Sequence, residues 1–178
     1  MNQEGFYGVW FSLSIFNIKV SNSHIVGLEE DIKQGRKFKN EYEKLIVNLI
    51  YTNSWISEQQ LNMFKPFGIS SAQYNVLRIL RGHYPKPCTI NSIIDRMIDR
   101  MSNASRIVDR LEAKGLVARE VCLVDRRAKD VLITQKGLDL LNEIEVSSKL
   151  WMERFEKINE DRIQVANDLL DELRTLQG

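Results

Sequence analysis

One stretch of this chain does not keep helical spacing. From Leu116 to Thr134 it reads LVAREVCLV, then the charged tip DRRAKD, then VLIT. Leu116, Val117, Val121, Leu123, Val131 and Ile133 are aliphatic, mostly β-branched, and roughly alternate. That pattern fits two strands, each with one face buried. The tip between them carries three cations and two carboxylates in the seven residues Val124–Asp130. A hairpin with a charged tip, set inside an otherwise helical chain, limits the fold more than any other feature here.

The segments around it have helical period. Tyr42, Leu45, Ile46, Leu49, Ile50, Ile56, Gln60 and Phe64 step by threes and fours until Pro66 and Gly68 interrupt. Ser70 or Ser71 can cap a second helix through Tyr74, Leu77, Ile79 and Leu80 to Gly82. No helix crosses Pro85 and Pro87. Thr89 can cap a short third helix holding Ile90, Ile93, Ile94 and Met97. A fourth is expected to begin at about Ser102, with Ala104, Ile107, Val108 and Leu111 on one face. Ser102, Arg106, Arg110 and Ala113 then fall roughly opposite, and Gly115 stops it. After the hairpin, Thr134 and Gly137 open a long helix. Its stripe, Leu141, Ile144, Ser148, Trp151, Phe155 and Ile158, is expected to run unbroken. A last helix follows Asn159, with Ile163, Ala166, Leu169, Leu170, Leu173 and Leu176.

Two short helices joined by a tight turn and followed by a hairpin describe a winged helix-turn-helix. The fold class expected is mainly α with a small β-hairpin wing and long helices at both ends. The divisions are an N-terminal accessory or spurious extension at 1–27, the winged domain at 67–137, and flanking helices at 28–66 and 138–178, to which the family resemblance given below assigns dimerisation.

Charge distribution fits that reading better than net charge does. The whole chain carries only +1. Arg96 to Lys129 hold nine bases against five acids, a net +4. Leu138 to Gly178 hold ten acids against five bases, a net −5. One segment can meet a polyanion and the other would be repelled by it.

A major groove about 12 Å wide admits one α-helix. Ser102, Asn103 and Ser105 are small polar residues that let the backbone approach. Arg106 and Arg110 can reach base edges or phosphates. The wing tip would offer Arg126, Arg127 and Lys129 to the neighbouring minor groove, whose potential attracts arginine. Asp125 would hydrogen-bond an arginine and fix its direction. Asp130 reads as a solvated residue. Asp109, acidic on the DNA side, is expected to pair with Arg106 or Arg110.

Other chemistries find little support. Cys88 and Cys122 make neither a disulfide framework nor a zinc quartet, and two histidines are little material for metal or acid–base work. Both cysteines read first as buried hydrophobes. His83 reads as a helix-end residue that suits the dipole. There is no Gly-rich phosphate loop and no nucleophile beside a base, so no enzyme, metal or cofactor is expected. No apolar run reaches the roughly 18 residues of a membrane span, and a reducing cytoplasm suits the cysteine usage. Tyr51, Trp55, Tyr74 and Trp151 are candidates for an effector cleft, although aromatics at helical spacing are more often core.

The motifs resemble those of the MarR family of bacterial transcription regulators. FGISSAQYNVL (Phe67–Leu77) is similar to the helix leading into its DNA-binding domain, and CTINSIIDRM (Cys88–Met97) to its first motif helix. SRIVDRLEAKGLVARE (Ser105–Glu120) resembles its recognition helix and first wing strand. DRRAKDVLITQKG (Asp125–Gly137) resembles its wing tip, second strand and next helix start. The resemblance spans roughly Leu28 to Leu176. It implies a homodimer joined through the first and last helices, double-stranded DNA with a palindromic operator, and release by a small aromatic or other apolar effector, or by an oxidant. It places the family's acid and wing arginine on Asp125 and Arg127, with Arg126 between them. Arg100–Met101 departs from the usual Asp-Lys before the recognition helix. The first 27 residues have no counterpart, which is expected if the start site is assigned too early. Two alternatives stand beside a repressor: a cysteine-based redox regulator, and a winged-helix protein-interaction module without DNA.

Overall fold

A computed structural model describes residues 26–121 and 129–176. Its elements, in order, are α1 (Leu28–Asp31), α2 (Glu41–Phe64), a 3-10 turn (Lys65–Phe67), α3 (Ser71–Arg81), β1 (Cys88–Thr89), α4 (Ile90–Arg96), α5 (Ala104–Ala113), β2 (Val117–Val121), β3 (Lys129–Ile133), α6 (Gln135–Met152), a second 3-10 turn (Phe155–Lys157) and α7 (Glu160–Thr175). The chain divides into two compact units, 1–49 and 50–178. In the described part of the first, Leu28 is buried and Lys44 Nζ pairs with Glu29 Oε1 at 2.8 Å.

In the second unit, capping chemistry sets where helices begin. Ser70 caps α3: its hydroxyl accepts from Gln73 N at 3.2 Å, and Gln73 Oε1 accepts from Ser70 N at 3.1 Å. This reciprocal box satisfies two N–H groups that the helix itself cannot. Thr89 Oγ1 accepts from Ser92 N at the start of α4. Thr134 Oγ1 accepts from Gly137 N at the start of α6 and donates to Gly115 O at 2.8 Å. Asn159 caps α7.

The core of this unit collects the inward residues of these elements. Val76, Leu77 and Leu80 of α3, Ile93 of α4, Val108 and Leu111 of α5, Val131 and Ile133 of β3, and Leu141 and Ile144 of α6 are all essentially solvent-free. Gly115 sits at φ 69°, the left-handed turn by which α5 ends and β2 begins. Gly137 marks a close approach: a Cβ there would lie 2.3 Å from Leu116 O. Only glycine lets the start of α6 sit so near the chain leaving α5.

The sheet has three strands in the order β1-β3-β2, all antiparallel. Val117 pairs with Ile133 and Arg119 with Val131, while Cys88 pairs with Val131 from the other side. The expected two-stranded hairpin is therefore widened by β1. Two residues are too few to show alternation in sequence. Cys88 is buried, as expected of a small hydrophobe.

Two expectations are corrected at the helices. α5 begins at Ala104, two residues after the expected start, with Asn103 at its cap. The stripe from Leu141 to Ile158 does not lie on one helix: α6 ends at Met152, and Phe155 and Ile158 lie beyond it. Neither Gly nor Pro marks that break. Trp151 instead meets Phe155 edge-on, ring centroids 4.8 Å apart, in the chain that turns toward α7. No helix among the described residues is long and apolar enough to cross a membrane.

Candidate nucleic-acid interface

α5 has two opposed faces. Ala104, Ile107, Val108 and Leu111 are buried, while Ser105, Arg106, Asp109 and Arg110 are exposed. Its N-terminus is closed by Asn103 Oδ1, which accepts from Arg106 N at 3.0 Å. The turn ahead of it is held by a carboxylate that sequence reading missed. Asp99 accepts from Ser102 Oγ at 2.6 Å and from Met101 N at 3.0 Å. These bonds, the Ser102 hydroxyl first, hold the Asp99 carboxyl below its ordinary range. Asn75 of α3 accepts from Ile98 N at 3.1 Å and ties the turn to the preceding helix. The Asp-x-x-Ser spacing was the available signal for the Asp99–Ser102 bond. Nothing in sequence announces Asn75.

Asp109 does not pair with Arg106 or Arg110, as its position on the helix suggested. Arg119 of β2 takes it instead, Nη2 to Asp109 Oδ1 at 2.5 Å, and binds Glu112 Oε2 through Nη1 at 2.9 Å. The fork geometry of guanidinium suits two carboxylates one helical turn apart. The consequence is electrostatic as well as structural. β2 is tied to α5, the two acids of α5 share one guanidinium, and among the described residues no ion pair takes Arg106 or Arg110.

Arg106 and Arg110 line a cleft of about 220 Å³ together with Ser70, Gln73, Ser102 and Asn103. Both helix caps, Ser70 of α3 and Asn103 of α5, border it. Helix starts carry partial positive charge and favour anions, so the cleft combines two such ends with two guanidinium groups. Lys114, at the end of α5, donates to Gly68 O at 2.5 Å and to Gln73 Oε1 at 3.1 Å, which fixes the helix against the start of α3.

Ser105 is exposed beside Arg106. Lys129 pairs in register with Val121 at the wing end of β3. Asp125, Arg126, Arg127 and Cys122 lie outside the described residues. Asp130 is corrected: it is half-buried rather than solvated, and its Oδ1 is buried without a hydrogen-bond partner among the described residues. It sits on the central strand, paired with Thr89 of the unforeseen β1 on one side and Glu120 on the other. His83 does more than end a helix: its Nδ1 lies 2.8 Å from Arg96 Nη1, so it accepts from the guanidinium.

Of the effector candidates, Tyr74 stacks on Phe64 with centroids 4.5 Å apart, and its hydroxyl accepts from Arg78 Nη1 at 3.0 Å. Trp151 packs on Phe155. Tyr51 and Trp55 are exposed, one turn apart on α2. Among the described residues, no group of three or more His, Cys, Asp or Glu could hold a metal ion.

Comparison with known proteins adds relatives to this geometry. The MarR family profile matches residues 69–129, the span from the start of α3 to the wing. The chain is 25% identical over 128 residues to the HTH-type transcriptional regulator MhqR of Bacillus subtilis, covering 71% of this chain and 87% of that protein. A MarR transcription factor from Planctomyces limnophilus is similar in structure, with TM-score 0.59, 30% identity, and 79% of this chain and 97% of that one covered. The organohalide-sensing regulator RdhR in its 2,4-dichlorophenol-bound form shares the fold, with TM-score 0.70 at 19% identity, covering 81% of this chain and 87% of that one.

Proposed function

Because this chain belongs to the MarR family, we propose that it is a DNA-binding transcription regulator, acting in the cytoplasm as a homodimer on a pseudo-palindromic operator. The observation that carries this reading is the outer face of α5. Arg119 draws Asp109 and Glu112 away and leaves Arg106 and Arg110 for an external anion. In this account α5 enters the major groove and reads base edges, Arg106 foremost. Ser102, Asn103 and Ser105 bring the backbone close. Arg127 of the wing enters the minor groove, oriented by Asp125, while Arg126 and Lys129 meet phosphate or solvent.

Dimerisation places two such faces about one helical turn of DNA apart. Support comes from the apolar side chains that one chain leaves uncovered: Tyr42, Ile46 and Ile50 on α2, Val146 and Leu150 on α6, and Val165 and Leu169 on α7. Occupying a promoter in this way gives repression. The dichlorophenol-bound relative supports a small aromatic or other apolar effector that releases DNA, with Tyr51, Trp55, Tyr74 and Trp151 as its candidate contacts. A ligand of that kind raises the melting temperature by mass action, so a thermal-shift screen finds it.

Selection of DNA sites from a random pool tests the main reading. A recovered pseudo-palindrome is expected, with affinity falling steeply as salt rises. Arg106→Ala should relax the recovered base preference. Arg127→Ala should weaken binding to all sequences and lower the salt slope by about one unit. A pool that enriches nothing would overturn the reading. Unchanged affinity of Arg127→Ala at both low and high salt would remove the wing from it.

A further inference from the structure

Two of the most exposed apolar side chains of the described protein lie in one four-residue stretch. Met101 is 95% exposed and Ile98 is 88% exposed. Single exposed hydrophobes are ordinary on a protein surface, but these have an unusual setting. They lie in the turn between α4 and α5, which is pinned rather than loose. Asn75 accepts from Ile98 N, and Asp99 accepts from Met101 N and Ser102 Oγ. Met101 stands two residues before Asn103, the cap of α5. In sequence Arg100 precedes it and Arg106 follows on the exposed face of α5, while the Asp99 carboxylate is held by Met101 N and Ser102 Oγ, so the stretch around it is charged. A protein partner fits this poorly, because the centres of protein interfaces are depleted in charge.

Duplex DNA fits better. The N-terminal end of a recognition helix is the end that meets base edges. The major groove shows such a residue one apolar feature on its base edges, the C5 methyl of thymine. We infer that Met101 packs against a thymine methyl in each half-site and thereby sets base preference at the outer start of α5. This rests on the DNA-binding reading above and adds to it a residue that carries no charge. The long, unbranched thioether side chain suits the task, since it adapts to the groove without a fixed shape. Ile98 lies three residues further from the cap, beside α3, and takes no part in this contact.

The test uses the duplex that the wild-type protein selects from a random pool. Each thymine is replaced in turn by deoxyuridine, which lacks only the methyl, and affinity is measured for wild type, Met101→Ala and Ile98→Ala. Because Met101 is exposed, its replacement leaves the fold intact. One thymine per half-site should weaken wild-type binding by about fourfold on losing its methyl, the worth of one buried methyl-sized group. The same replacement should not weaken Met101→Ala further, and Ile98→Ala should keep the wild-type response. A wild-type protein indifferent to every methyl overturns the inference, as does a Met101→Ala protein that still responds. Transfer of the response to Ile98 would overturn the assignment to Met101. A pool that enriches no sequence overturns the DNA-binding reading as well, so the two failures are distinguishable.

Discussion

α5 and α7 are both amphipathic helices, and they are completed in different ways. α5 buries Ala104, Ile107, Val108 and Leu111 within its own chain and turns arginines outward. α7 has sixteen residues and buries none, and it leaves Val165 67% and Leu169 42% exposed. The polar side of α7 is acidic, with Glu160, Asp161, Asp168, Asp171 and Glu172. An apolar face left in water favours a second protein surface, whereas a cationic face over a finished core favours a polyanion. Within one unit of the chain, one helix leaves a cationic face exposed and the other an apolar one.

The largest effect should come from placing charge on the unfinished face. Val165→Asp with Leu169→Asp should abolish the dimer at micromolar concentration and remove the concentration dependence of the melting temperature. Sedimentation analysis checks this, and a doubly substituted protein that stays dimeric would erase the contrast between the two helices. Next is the finished face. Leu111 is fully buried, so Leu111→Ala should cost roughly 2–5 kcal/mol. Urea unfolding measures it; a loss below about 1 kcal/mol would mean that the α5 face is not packed as described.

The smallest expected effect lies between α3 and α6, where Arg81 Nη2 meets Glu145 Oε1 at 2.5 Å. Arg81 holds the Glu145 carboxyl below its ordinary value. A depressed carboxyl stabilises the fold above its unfolded pKa and loses that contribution as pH falls through its folded one. The pair is partly exposed, so Glu145→Gln should cost less than about 1 kcal/mol at neutral pH. The difference from wild type should vanish in acid. A difference that grows as pH falls would contradict the pairing.

Much of this was legible in the sequence because it is local. Ser70, Thr89 and Thr134 announce helix starts through bonds spanning three residues. The alternation around DRRAKD marks two strands without any tertiary knowledge, and Arg106 and Arg110 follow from helical spacing alone. What escaped depends on distance along the chain or on brevity. Arg119 finds Asp109 and Glu112 only once β2 folds back beside α5. Two-residue β1 has no pattern to read, so the central place of Asp130 in the sheet was missed as well. α6 ends without Gly or Pro, and its stripe therefore looked continuous through Ile158.

The most direct measurement is the mass, by light scattering, of the protein alone and bound to its selected duplex. The free protein should have twice the 20.7 kDa chain mass, and each duplex should carry two chains, with the apolar face of α7 covered by a second copy and α5 covered by DNA. A single chain on the duplex, or a monomer that binds no duplex, would contradict it.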